Sequence, residues 1–85
     1  MAKLSVVVYT MKDCPFCDRA KQILREIGVK FVEKSTSDQK NLAKLRELTG
    51  GDKVPTILVN KTLLVKPGED KLRATITYER SLAQE

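Results

Sequence analysis

Residues 4–28 most strongly limit the folds open to this chain. Residues 4–9 are a short apolar run rich in β-branched side chains, which is typical of a buried strand. From Pro15 to Ile27 the apolar side chains recur at helical spacing; Pro15 suits a first helical position and Gly28 a C-terminal cap. We therefore predict a strand that runs directly into a helix, with both cysteines near the junction.

The middle of the chain predicts a second strand and a second helix. Residues 29–33 are rich in β-branched and aromatic side chains, which favours a strand. Residues 35–38 offer several candidate N-caps, including Thr36, which stands at capping-box spacing from Gln39. The second helix is predicted to end at the glycines of residues 50–51, and its inward side chains are Leu42, Leu45 and Leu48.

The last third of the chain predicts a hairpin and a third helix. Residues 54–59 and 62–66 form the hairpin strands, and the helix begins within residues 67–70, with Leu72, Ile76 and Leu82 as its apolar stripe. The order is β-α-β-α-β-β-α, in which the β-α-β unit requires parallel strands and the hairpin adds an antiparallel pair. We expect one α/β domain over residues 1–85, a four-stranded mixed sheet with three helices that cover both its faces.

Charge and composition narrow the possible partners. The net charge is +5, from 16 Lys and Arg against 11 Asp and Glu, but the basic residues are dispersed and aromatic residues are only 5%. This pattern argues against a nucleic-acid partner. No segment approaches the roughly 20 apolar residues that span a bilayer. We expect a monomer without a membrane partner, located in the cytoplasm, where a close cysteine pair is more often catalytic or metal-binding than structural.

The two cysteines, Cys14 and Cys17, favour redox chemistry. As a structural disulfide they would close a very short loop, which constrains the unfolded chain far less than a long-range crosslink. A structural zinc site usually takes four cysteine or histidine ligands, and the chain has two cysteines and no histidine. A thiolate, by contrast, is favoured at a helix N-terminus. We predict no metal site, with Cys14 as the nucleophile and Cys17, about one turn later, as the resolving thiol.

Three segments resemble the glutaredoxin family over almost the whole chain. Residues 6–10 followed by Cys-Pro-Phe-Cys at 14–17 are similar to its first strand and active site, residues 53–57 to its Thr-Val-Pro segment, and Gly68 with Asp70 to its Gly-Gly-x-Asp segment. The resemblance implies a thioredoxin-like fold and a thiol-disulfide oxidoreductase without a tightly bound cofactor. It also implies glutathione as reductant and partner, and disulfide-containing or glutathionylated proteins as substrates.

The resemblance further assigns a glutathione site. In the family the proline at the place of Pro55 is cis and lies beside the active site, and the residue before it, here Val54, offers its backbone to glutathione. Asp70 would receive the glutathione amino group, and Gly68 would let the backbone approach closely. The full set of residues predicted to contact glutathione is Lys12, Phe16, Val54, Pro55, Gly68 and Asp70; Arg19, Lys21 and Lys53 are further candidate cations.

Three positions depart from the family pattern. Met11 stands where the family often has a lysine, Lys53 replaces the threonine of Thr-Val-Pro, and Pro67 replaces the first glycine of Gly-Gly. These departures keep a second hypothesis open, a glutaredoxin-like electron donor that is reduced by thioredoxin reductase and serves, for example, ribonucleotide reductase. A third hypothesis is a binding module in which two chains bridge an iron-sulfur cluster through Cys14 and bound glutathione.

Overall fold

The computed structural model describes residues 4–83 of the chain. The elements follow the predicted order: β1 Val6–Thr10, α1 Pro15–Ile27, β2 Val32–Ser35, α2 Gln39–Thr49, β3 Thr56–Val59, β4 Thr62–Val65 and α3 Glu69–Ala83. Within these residues, no helix combines the length and the apolar character needed to cross a membrane.

The four strands form one mixed sheet in the order β2-β1-β3-β4. β1 pairs in parallel with β2, with Val7 opposite Val32, and antiparallel with β3, with Val7 opposite Leu58. β3 and β4 form the antiparallel hairpin. The prediction of a four-stranded mixed sheet with three helices is therefore confirmed.

Alternation along the strands divides the buried side chains between the two faces of the sheet. On one face Val6 and Val8 of β1 pack with side chains of α1 and α3, including Leu24 and Ile76. On the other face Tyr9 packs with a smaller cluster that contains Leu45 of α2 and both cysteines. α1 and α3 thus cover one face and α2 the other, and Cys14 and Cys17 belong to the smaller cluster.

The second strand begins later than predicted. Gly28 takes a left-handed conformation (φ 86°) and caps α1, and the N–H of Val29 still donates to the carbonyl oxygen of Leu24 at 3.0 Å. Val29 is buried under the helix end and belongs to the cap, so the chain joins the sheet only at Val32. The prediction of a strand over residues 29–33 was wrong at its start, because the backbone N–H of Val29 is bonded to the end of α1 and not to the sheet.

The structure selects one of the predicted N-caps at residues 35–38 and corrects one side chain of the predicted α3 stripe. Asp38, and not Thr36, is the N-cap of α2: its Oδ1 accepts the N–H of Lys40 at 2.9 Å, whereas the N–H of Thr36 donates to the carbonyl oxygen of Thr10. Leu82 is 49% exposed and does not continue the apolar stripe of α3. Leu72, Ile76 and Leu45 are buried as predicted, and Leu42 and Leu48 are half-buried.

Truncation of α3 side chains tests this account of the core. Ile76 is fully buried, so Ile76→Ala is expected to lower the free energy of unfolding by about 2–5 kcal/mol through lost burial and the cavity that remains. Leu82→Ala, on the same helix, is the matched control and should cost less than about 0.5 kcal/mol because its side chain is half exposed. Urea unfolding monitored by circular dichroism measures both; equal costs would contradict the assignment of the inward face of α3.

Candidate active site

Cys14 is the N-cap residue of α1. Its backbone is extended (φ −113°, ψ 102°), and its Sγ accepts a hydrogen bond from the backbone N–H of Cys17 at 3.2 Å. Pro15 occupies the first turn, where the missing N–H leaves no helical bond unmade. The sulfur therefore faces the amides and the positive end of the helix dipole, an arrangement that stabilises a thiolate.

Cys17 lies one turn further along and is only 1% exposed. Burial raises the pKa of the Cys17 thiol to about 12, the hydrogen bond with Cys14 adds to the rise, and a hydrogen bond with the Met11 backbone opposes it. Cys14 is 8% exposed. The two thiols therefore differ in their surroundings: Cys14 Sγ accepts the N–H of Cys17 at the start of α1, whereas the Cys17 thiol is buried and stays protonated at neutral pH.

The loop before β3 packs against the cysteines. Val54 is buried in the same cluster as Cys14 and Cys17, and the peptide bond from Val54 to Pro55 is cis. The Pro55 carbonyl oxygen accepts the N–H of Lys66 at 2.8 Å, which ties the loop to the end of β4. The backbone beside the active site is therefore held by packing on one side and by a hydrogen bond on the other.

A groove of about 340 Å³ lies between α1, α3 and this loop. Phe16 stands at its edge with 72% of its surface exposed, and the floor includes the buried side chains of Ile23 and Leu72. The groove has an apolar base with charged groups around it. Its lining residues are Phe16, Arg19, Ala20, Ile23, Pro55, Lys66, Pro67, Gly68, Glu69 and Leu72.

The structure brings together some of the predicted glutathione contacts and separates others. Three of the six, Phe16, Pro55 and Gly68, line the groove. Val54 does not line it but lies buried in the cluster with the cysteines. Lys12 and Asp70 are exposed and lie outside the groove lining, so their contacts with glutathione stay predictions.

Sequence reasoning missed a chain of ion pairs that begins at the groove. Arg19 Nη2 lies 2.8 Å from Glu69 Oε1, Glu69 Oε2 lies 3.0 Å from Arg73 Nε, and Arg73 Nη2 lies 2.9 Å from Glu26 Oε1. Arg19, and then Arg73, lowers the pKa of the Glu69 carboxyl. Of these ion pairs, only Glu69 with Arg73 could have been predicted from the sequence, because residues four apart on a helix lie on the same face.

A second polar network joins α1 to the sheet. Lys21, a candidate glutathione contact, instead donates to Glu33 Oε2 at 3.0 Å, and Thr10 Oγ1 donates to the same oxygen at 2.8 Å. The bond from Thr10, followed by that from Lys21, lowers the pKa of Glu33, and Glu33 raises the pKa of Lys21. Lys21 is therefore engaged within the fold.

The inequality of the two thiols predicts selective alkylation. With its pKa raised from 9.0 to about 12, Cys17 stays protonated from neutral pH to beyond pH 10, and its burial excludes the reagent. Iodoacetamide at about pH 8.5 should therefore modify the reduced, folded protein once, at Cys14. Peptide mass spectrometry locates the adduct, and the protein unfolded in urea is the control that should be modified twice. Rapid double modification of the folded protein would contradict this account.

The sequence and the structure both match known glutaredoxins. The family model described as Glutaredoxin matches residues 6–64. A glutaredoxin from Pseudomonas aeruginosa is 41% identical over 58 residues, which are 67% of this chain and 69% of the relative. A probable glutaredoxin from Synechocystis is 43% identical over 60 residues, which are 68% of this chain and 55% of that protein.

The solved structures agree with the sequence relatives. The solution structure of a glutaredoxin from Brucella melitensis superposes with a TM-score of 0.68 at 28% identity, over 98% of this chain and 91% of that one. Within the matched residues, the spacing of Cys14 and Cys17 fits the dithiol motif with two intervening residues. The chain therefore belongs to the glutaredoxin family of thiol-disulfide oxidoreductases.

Proposed function

We propose that this redox protein is a glutathione-dependent oxidoreductase that reduces protein disulfides and glutathione mixed disulfides through Cys14 and Cys17. The observation that carries the proposal is the 3.2 Å hydrogen bond from the Cys17 N–H to Cys14 Sγ at the start of α1. It supports a stabilised thiolate at Cys14. We further propose that the protein works in the cytoplasm, where the thiol pool is kept reduced.

In the first step the Cys14 thiolate attacks one sulfur of the substrate disulfide. The substrate S–S bond breaks, a bond forms between Cys14 Sγ and that sulfur, and the other sulfur leaves as a thiolate that takes a proton from water. The backbone N–H of Cys17 donates to Cys14 Sγ and stabilises negative charge on the attacking sulfur. The product is a mixed disulfide at Cys14.

In the second step Cys17 loses its proton and attacks Cys14 Sγ. The Cys14–Cys17 disulfide forms, the substrate leaves as a second thiol, and two electrons have passed from protein to substrate. Two molecules of glutathione then reduce the protein disulfide and become glutathione disulfide. With a glutathionylated substrate, Cys14 accepts the glutathionyl group, and a second glutathione can regenerate the Cys14 thiolate without Cys17.

Family membership and the groove support glutathione as the reductant. Phe16, Pro55 and Gly68 line one groove. Phe16 follows Pro15 and precedes Cys17, and Pro55 follows Val54, which packs with both cysteines, so we propose that glutathione bound in the groove presents its sulfur to Cys14. We propose that the Val54 backbone pairs with the glutathione backbone like an added strand, with Lys12 and Asp70 meeting its charged ends. A buckwheat glutaredoxin solved in complex with glutathione has the same fold, with a TM-score of 0.64 at 19% identity.

A second candidate is an electron donor reduced by thioredoxin reductase. Arg19, a cation of the groove, is already paired with Glu69, and Lys12 and Asp70 lie outside the groove lining, which favours a weak glutathione site. A glutaredoxin-like protein from Escherichia coli, NrdH-redoxin, has the same fold, with a TM-score of 0.70 at 17% identity.

Cysteine variants in a glutathione-coupled assay test the proposed function. With glutathione, glutathione reductase and NADPH, Cys14→Ser should lose at least about a hundredfold in rate on every disulfide, because the attacking thiolate is gone. Cys17→Ser should lose reduction of protein disulfides and keep part of the deglutathionylation. NADPH consumption measures both, and Cys14→Ser with full activity would contradict the assignment.

The same assay with a different reductase separates the two candidates. The wild-type protein is coupled in parallel to thioredoxin reductase and NADPH, without glutathione. The proposed function predicts turnover with glutathione that exceeds turnover with thioredoxin reductase. Turnover with thioredoxin reductase alone would reject glutathione dependence and select the second candidate.

A further inference from the structure

One of the two cations that line the groove, Arg19, is held in a salt bridge. Arg19 on α1 and Glu69 at the start of α3 both line the groove, and Arg19 Nη2 and Glu69 Oε1 are 2.8 Å apart. Arg19 is what draws the Glu69 pKa down most, so the carboxylate is ionised at neutral pH. The ion pair therefore joins the two helices across the groove.

Glutathione carries a carboxylate at each of its ends. Glu69 engages the Arg19 guanidinium through Nη2, so a ligand carboxylate that approaches Arg19 competes with the Glu69 carboxylate for the cation and is repelled by its negative charge. A cysteine within a polypeptide substrate brings no such terminal carboxylates into the groove. The ion pair thus opposes free glutathione more than it opposes an internal segment of a protein.

We propose that Glu69 is a specificity-determining residue that holds Arg19 and weakens the binding of glutathione carboxylates relative to internal polypeptide disulfides. The inference rests on the proposed function, because it takes the groove to be the site that glutathione enters. Internal cysteine-containing segments of proteins are then the substrate class that the groove favours.

The neighbouring charges and their exposure limit how much Glu69 can weaken the binding of glutathione. Glu69 also binds Arg73, which in turn binds Glu26, so the loss of Glu69 leaves Arg73 a carboxylate partner. Lys66 is the other cation of the groove lining, and in the described part of the chain no carboxylate lies within salt-bridge distance of it. The side chains of Arg19 and Glu69 are 47% and 41% exposed, and solvent screening limits such pairs to a severalfold effect.

Direct binding tests the inference without any turnover. S-methylglutathione keeps both carboxylates and cannot exchange with Cys14, so its dissociation constant, from an NMR titration of the reduced full chain, reports on the groove alone. Glu69→Gln should bind this probe about three- to fivefold more tightly than the wild-type protein. Glu26→Gln is the matched control, since Glu26 shares Arg73 but lies outside the groove lining, and its affinity should change less than about twofold.

The Arg19→Met variant tests whether Arg19 is the group for which Glu69 competes with the ligand. In the Arg19→Met background, Glu69→Gln should gain less than about twofold in affinity because the released cation is absent. Equal affinities of wild type and Glu69→Gln, no binding by either protein, or a full gain without Arg19 would each overturn the inference. Failure of glutathione-coupled turnover would instead reject the proposed function, because the titration does not depend on catalysis.

Discussion

The hydrogen bond from the Cys17 N–H to Cys14 Sγ is the interaction on which the rest of the site depends. It forms because β1 leads almost directly into α1, so that Cys14 becomes the N-cap and its sulfur faces amides that the helix leaves without partners. The first turn of α1 also places Cys17 in the smaller buried cluster, where burial raises the pKa of its thiol to about 12. One junction therefore makes two identical functional groups unequal, which is the basis of the order of steps proposed for disulfide exchange.

The charges that line the groove are a second feature of the site, and they act on which substrates bind. Its apolar base and the exposed Phe16 suit many thiol substrates, so the fixed charges are what can distinguish them. The pairing of Arg19 with Glu69 makes this groove less cationic than the net charge of the chain suggests. Under the role proposed for Glu69, this pairing shifts the preference of the groove from free glutathione toward internal segments of proteins.

The sequence was sufficient for the element order and for the position of Cys14 at the start of α1, because both depend on local patterns. Helical spacing, Pro15 and Gly28 define α1 and place Cys14 at its start. The start of β2 could not be predicted, because the N–H of Val29 bonds to the carbonyl oxygen of Leu24 and so completes the cap of α1. The residue types at 29–33 give no sign of this bond. The contact between Arg19 and Glu69 was also beyond prediction: it joins residues 50 positions apart and exists only once α1 and α3 have packed together.

The central claim is that Cys14, and not Cys17, is the attacking thiol because of where α1 begins. The most direct measurement compares how fast glutathione disulfide modifies the single-cysteine variants Cys17→Ser and Cys14→Ser, followed by intact mass spectrometry near pH 7.5. The account predicts that Cys14 in the first variant forms the mixed disulfide at least about a hundredfold faster than Cys17 in the second. Similar rates, or faster modification of Cys17, would contradict it.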